Sequence, residues 1–230
     1  MLLISAPATA AAASTLGCYN RSTGTSSLAE CRCLNNEGFR RFAFISCEGG
    51  PYDTGFYSMA VNGADAALQE KSGGCFDIVT SSGSCASGPF SEAVSLVRGF
   101  DVVLAAGYNV KSQVEQAAKD VPQSFFALVD VAFADHALNN TQGMLFAEEQ
   151  AAYMAGYAAG LVTRTGVVGA VLGAELPPIR KFANGFAKGA LDGCSRVGKS
   201  CVSYHKYTPS FVAQQRGANV AARLAEAGAD

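Results

Sequence analysis

Tryptophan is absent from the 230 residues, and histidine occurs only twice. Charged residues make up 16% and nearly cancel, leaving a net charge of −2. No basic run stands out, which argues against nucleic acid as a partner. There is no C-x-x-C for a metal or redox centre, no G-x-S-x-G and no G-x-G-x-x-G after the first strand. His136 and His205 have no ligand neighbours at metal spacing and no nucleophile beside them in a known motif. These absences disfavour hydrolases, zinc sites and dinucleotide enzymes. A non-enzymatic protein with no cofactor and no metal is expected.

What is present is a core. Hydrophobic residues make up 49%, enough for one large domain or two lobes. Met1 to Cys18 carries no charge and ends in small residues, as a secretory signal does. It is short and Ala-rich for a membrane span. Thr15-Leu16-Gly17-Cys18 is close to a bacterial lipobox, which makes Cys18 a candidate for lipidation, beside a plain cleaved signal. Eight cysteines point to an oxidising compartment and to disulfides. Cys75 with Cys85, and Cys194 with Cys201, are near enough in sequence to close local loops, although spacing alone leaves the pairings open. Residues 19–39, rich in Ser, Thr, Gly and Asn, read as a linker.

From Arg40 onward, apolar runs alternate with helical spacing. Strands are expected at Arg41–Cys47, Cys75–Thr80, Asp101–Ala106 and Ser124–Asp130. Helices are expected at Asp53–Glu70, Pro89–Arg98 and Lys111–Lys119. That order is a doubly wound parallel sheet. The theme repeats with a strand at Gly143–Phe146, a helix at Glu148–Val162, a strand at Val167–Leu172, a helix at Ile179–Leu191, a strand at Cys201–Tyr207 and a helix at Phe211–Ala225. Two Rossmann-like lobes follow, 40–135 and 136–230, with a cleft between them expected. The second lobe lacks closing strands, so the chain reads as the larger part of a longer domain.

Four blocks resemble the basic-membrane-protein family, also called PnrA-like. They are Ile45 to Tyr57 (I-S-C-E-G-G-P-Y-D-T-G-F-Y), Gly99 to Gly107 with Phe125 to Asp130, Phe146 to Tyr157, and Pro177 to Gly189. The resemblance runs from about residue 40 to the end. It implies a type I periplasmic-binding-protein fold and an extracytoplasmic receptor, monomeric, lipid-anchored or secreted. Such a receptor delivers a purine nucleoside to an ABC permease by cleft closure. The alternative is the extracellular ligand-sensing domain of a larger membrane receptor.

The resemblance also assigns residues. Phe56 would stack on one face of the purine, although its spacing with Met59 and Ala60 also suits a core residue. Phe211, after Thr208-Pro209-Ser210, would take the other face or serve as a helix-start staple. Asp130, ending an apolar strand, would accept from the base edge or cap a loop. Cys47 stands where the family commonly has a ligand-bonding Asp. A thiol cannot accept as a carboxylate does, and Glu48 beside it points the other way along an extended chain. Asp53 would bind ligand or cap the first helix, and Phe182 would contact ligand or pack within its lobe. The family's ribose-binding residues would lie beyond Asp230.

Overall fold

The structure is a computed structural model that describes residues 17–20, 22–23, 25–33, 40–46, 55–71, 74–80, 97–133, 138–211 and 213–230. Residues 1–16 of the signal-like stretch Met1–Cys18, most of the expected helix at Pro89–Arg98, and Cys47, Glu48, Asp53, Cys85 and His136 lie outside the described residues. The chain divides into two units, Met1–Leu145 and Phe146–Asp230.

The first unit is a seven-stranded sheet. Its strands are β1 (Gly17–Asn20), β2 (Thr25–Ser27), β3 (Arg40–Ser46), β4 (Gly74–Thr80), β5 (Val102–Ala106), β6 (Phe125–Val129) and β7 (Thr141–Met144), in the order β2-β1-β4-β3-β5-β6-β7. From β4 to β7 all neighbours are parallel. Among the described residues, helices α1 (Phe56–Lys71) and α2 (Lys111–Asp120) are crossovers. The continuous apolar runs of β3, β5 and β6 reflect burial on both faces, as a parallel sheet requires. Phe44, Ile78 and Ala106 meet Val61 of α1 on one face. Ile45, Val103, Phe126 and Leu128 meet Val114 and Ala117 of α2 on the other.

Residues 19–39 are not a simple linker. β1 and β2 form an antiparallel ribbon, and β1 pairs antiparallel with β4, Cys18 opposite Val79. The polar composition marks a turn. The Asn20 side chain accepts from the backbone N–H of Ser22 at 2.8 Å and donates to Glu30 at 2.9 Å. Order comes from two disulfides, Cys18–Cys31 with Cα atoms 4.9 Å apart and Cys33–Cys75 at 5.4 Å. Together they contribute stability on the order of several kcal/mol. They correct two expectations. Cys75 is bonded to Cys33 across 42 residues and not to Cys85. The Cys18 sulfur is in a disulfide and 1% exposed, so it has no thiol to carry lipid. Asp77 accepts the Cys33 N–H at 2.8 Å, and burial raises its carboxyl above the ordinary range against that bond.

The unit boundary also differs. It falls at residue 145, not 135, because β7 pairs with β6, Phe126 opposite Thr141. The sequence T-Q-G-M has no apolar alternation to announce that strand.

The second unit contains a two-stranded parallel sheet, β8 (Val167–Leu172) and β9 (Val202–Tyr207), with α3 (Glu148–Val162), α4 (Pro177–Arg196) and α5 (Gln214–Glu226). Two prolines open α4, where missing N–H groups cost nothing. The Cys194–Cys201 pair is bonded and ties the end of α4 to β9. Helices α3 and α4 run parallel and touch backbone to backbone. Gly185 faces the Glu149 carbonyl, Gly189 that of Tyr153 and Gly193 that of Tyr157; Gly156 and Gly160 return the contact on Phe186 and Ala190. A Cβ at any of the five would lie under 3.0 Å from a carbonyl oxygen. The Asp230 side chain joins the α3–β8 turn, accepting from the Thr163 hydroxyl, from Arg164 N–H at 2.8 Å and from the Thr165 hydroxyl at 2.9 Å. The Thr163 bond first, then the Arg164 N–H, hold its carboxyl well below the usual carboxylate range.

Two outcomes follow. Gly189→Ala should lower unfolding free energy by about 1–3 kcal/mol through overpacking. Gly217→Ala, in α5 with nothing within 4 Å, should raise it by about 0.4–1 kcal/mol; denaturant titration of both variants checks the contrast. Asp230 has a depressed folded pKa, so its stabilisation is complete above the unfolded value near 3.9 and fades as pH falls below it. Between about pH 5 and 2 the wild-type Tm should fall more steeply than that of Asp230→Asn; parallel slopes would remove this role.

Candidate functional site

In an open parallel sheet the carboxyl ends of the strands face the ligand crevice, because the crossover loops gather there.

In the first unit, β5 ends at Ala106 and the chain turns at Gly107, whose φ of 99° suits only glycine. Phe56, the first residue of α1, lies over this turn: its ring is 3.8 Å from where a Gly107 Cβ would stand. The ring is 41% exposed. Behind it Tyr57 packs edge-on at 5.4 Å, and Tyr57 in turn meets buried Phe44 at 6.5 Å. The exposed ring therefore rests on edge-to-face aromatic contacts that lead to the core, and Phe56 is not the core residue its spacing also allowed.

Gly107 N–H donates to the Val129 carbonyl at 3.1 Å, which brings the end of β6 beside it. The next residue is Asp130, half-buried, with φ 65°. Left-handed backbone is uncommon outside glycine, though Asp and Asn tolerate it best. Its N–H donates to Met144 O at 2.8 Å, so β7 holds the turn in place. Such strain concentrates at functional sites. Phe56 and Asp130 thus share one edge through Gly107.

In the second unit, β8 ends at Leu172 and Gly173 follows. The Thr208 N–H donates to Leu172 O at 2.8 Å and to Gly173 O at 3.2 Å, and its hydroxyl bonds Ser210 O at 2.8 Å. That clamp fixes the loop after β9. Phe211 lies in this loop, before α5 and not inside the helix expected at Phe211–Ala225, because α5 begins only at Gln214. Its ring occupies the space that a side chain on Gly173 would fill, and it is 52% exposed. Phe182, on α4, is 37% exposed.

Sequence reasoning missed a charged pair here. Glu148, the first residue of α3, is 6% exposed, and its Oε2 accepts from Lys181 Nζ at 2.8 Å. Lys181 also donates to Phe146 O at 3.2 Å. Glu148 Oε1 is buried with no hydrogen-bond partner among the described residues. Both residues lie inside the motif blocks, but only the parallel helix pairing shows that they meet.

Two cavities lie away from these edges. One, about 440 Å³, is bounded by Asn20, Glu30, Arg32 and Asp77 under the N-terminal ribbon. The other, about 570 Å³, is an open trough over α3 and α4 with Tyr153, Met154 and Lys188. Its strongest polar feature is structural: Asp192 bonds Lys188 and the Tyr153 hydroxyl, and these bonds lower its carboxyl and raise both partners. Among the described residues no three His, Cys, Asp or Glu side chains converge as a metal site. No described helix is long and apolar enough to cross a membrane. The aromatic edges offer flat apolar faces and a carboxylate acceptor, which is binding chemistry.

Comparisons with known proteins point the same way. The family model described as ABC transporter substrate-binding protein PnrA-like matches residues 43–230. An uncharacterised lipoprotein of Pyrococcus abyssi is 30% identical over 192 residues, 82% of this chain and 47% of that protein. An ABC transporter nucleoside-binding protein of Lactococcus lactis is 29% identical over 133 residues, covering 58% of this chain and 36% of its own length. The crystal structure of an ABC transporter solute-binding protein from Aeropyrum pernix superposes with a TM-score of 0.69 at 24% identity, over 83% of this chain and 53% of that one. It shows the same α/β fold. The chain spans about half the length of the curated Pyrococcus relatives it matches.

Proposed function

The chain belongs to the PnrA-like family of ABC transporter substrate-binding proteins, and we propose that it binds a purine nucleoside outside the cytoplasm for an importer of that kind. One observation carries this reading. Each unit presents an exposed phenylalanine over a glycine at the carboxyl edge of its own sheet, Phe56 over Gly107 and Phe211 over Gly173. A flat heteroaromatic base is the ligand class that gains from aromatic faces, at roughly 1–3 kcal/mol per ring. Asp130, beside Phe56, is an acceptor for N–H groups on the base edge. Of the seven residues assigned above, Phe56, Asp130 and Phe211 carry the reading; Phe182 is a lesser contact. The Lactococcus relative, named as nucleoside-binding, supports the ligand class.

The disulfides support an oxidising, extracytoplasmic setting. Relatives named as lipoproteins support attachment to the cell membrane, through a site other than Cys18. A permease is the partner this role needs. The disulfides also favour a second reading, the ligand-sensing region of a larger membrane receptor. A membrane-spanning segment in the same polypeptide would select it.

Calorimetric titration of the full-length protein with inosine, guanosine, adenosine and ribose should give heat for at least one nucleoside and none for ribose. Phe56→Ala and Phe211→Ala should each weaken that binding by roughly 1–3 kcal/mol. Asp130→Asn keeps the tolerance for left-handed backbone while removing the charge, and should cost about 1.5–3 kcal/mol. Silence towards every nucleoside, or wild-type affinity in all three variants, would sink the reading.

A further inference from the structure

Gly173 has ordinary glycine surroundings except at one point: the Phe211 ring fills the volume of its missing side chain, with Cδ1 and Cε1 as the nearest atoms. The loop that carries the ring is anchored at its backbone. Thr208 is buried and tied by its N–H and hydroxyl to Leu172, Gly173 and Ser210. Pro209 fixes its own φ. The backbone that carries Phe211 is thereby anchored to the end of β8, and the ring settles onto the bare glycine.

The two strand-end glycines differ in what they do. At Gly107 an added Cβ would meet Phe56 at 3.8 Å, ordinary contact, and glycine is needed there for φ 99°. At Gly173 no positive φ is required, and the demand is for space alone. The atom an added methyl would strike is the far end of an exposed side chain, which relieves the clash by rotating about χ1 or χ2 and not by unfolding. A methyl group here therefore moves the ring while sparing the fold.

We infer that Gly173 is a positioning residue for ligand binding: it sets the height and tilt of the Phe211 ring, and so the plane against which a bound base stacks. The inference rests on the reading of Phe211 as a ligand face. It concerns a residue with no side chain to offer the ligand, whose carbonyl already accepts from Thr208 N–H at 3.2 Å.

The test uses the full-length protein with 4-fluorophenylalanine at position 211. Gly173→Ala should shift the fluorine resonance while cooperative unfolding stays within a few degrees of wild type. It should also weaken nucleoside affinity by roughly 3- to 30-fold, approaching the loss in Phe211→Ala. In the Phe211→Ala background the same substitution should change affinity by less than about twofold, since its only route is gone. An unmoved fluorine resonance overturns the inference. So does an equal loss of affinity in both backgrounds. If the wild type binds no nucleoside, the proposed function fails, and the fluorine shift still decides whether the glycine seats the ring.

Discussion

Main chain laid against main chain is the constraint on which the C-terminal unit depends. Five glycines let α3 and α4 approach until carbonyl oxygens fill the places of side chains. The register advances evenly, Glu149 to Gly185, Tyr153 to Gly189, Tyr157 to Gly193, so the helices run parallel for their shared length. Their N-termini therefore arrive together, at the end where β8 hands over to α4. Two parallel macrodipoles side by side concentrate partial positive charge at that end. The chain answers with Glu148 and Glu149 in the first turn of α3. Glu148, buried between the termini, recruits Lys181 and with it the Phe146 carbonyl. A contact made only of glycine and backbone thus places a charged pair near the edge where ligand chemistry is expected.

The first unit solves a different problem. Its parallel sheet needs covered faces, which α1 and α2 supply, and a guarded edge beyond β4. An open strand edge invites pairing with another chain. Here β1 occupies part of that edge antiparallel, and the ribbon it belongs to is held by Cys18–Cys31 and Cys33–Cys75. Short strands of three and four residues would not hold alone. The cross-links supply what the strands lack, and this part of the fold draws on an oxidising environment.

The pattern of legibility in the sequence follows from these causes. Strands β3, β5 and β6 were readable because burial on both faces writes a continuous apolar run. Helix α4 opens on Pro177 and Pro178, two residues before the expected Ile179, because prolines suit a helix's first turn. The glycines of α4 are visible in the sequence, but not their partners, since the carbonyls they meet lie a full crossover away. The ribbon before residue 33 was hidden because turn chemistry and disorder share a composition, and its stability comes from sulfur pairs 13 and 42 residues apart. β7 was misplaced because an edge strand of Thr, Gln, Gly and Met pairs through backbone alone. At the site, Phe56, Asp130 and Phe211 were identifiable from motif blocks. Gly107 and Gly173 were not, because a glycine's role lies in the space it leaves.

That last point bears on how affinity would evolve in such a protein. The rings of Phe56 and Phe211 offer the same apolar face to any flat ligand, so they supply affinity with little discrimination. Discrimination requires a fixed plane and a directional acceptor. The plane is fixed by what lies under each ring: a left-handed turn at Gly107 that only glycine enters easily, and an empty side-chain volume at Gly173. The acceptor is Asp130, held at φ 65° by its bond to Met144 and by the Val129–Gly107 bond before it. With cysteine at position 47, Asp130 is the carboxylate that the proposed reading draws on, one residue after the Val129 carbonyl that bonds Gly107. On the proposed reading, each unit would contribute to selectivity through backbone geometry at its own sheet edge, Gly107 and Asp130 in the first and Gly173 in the second.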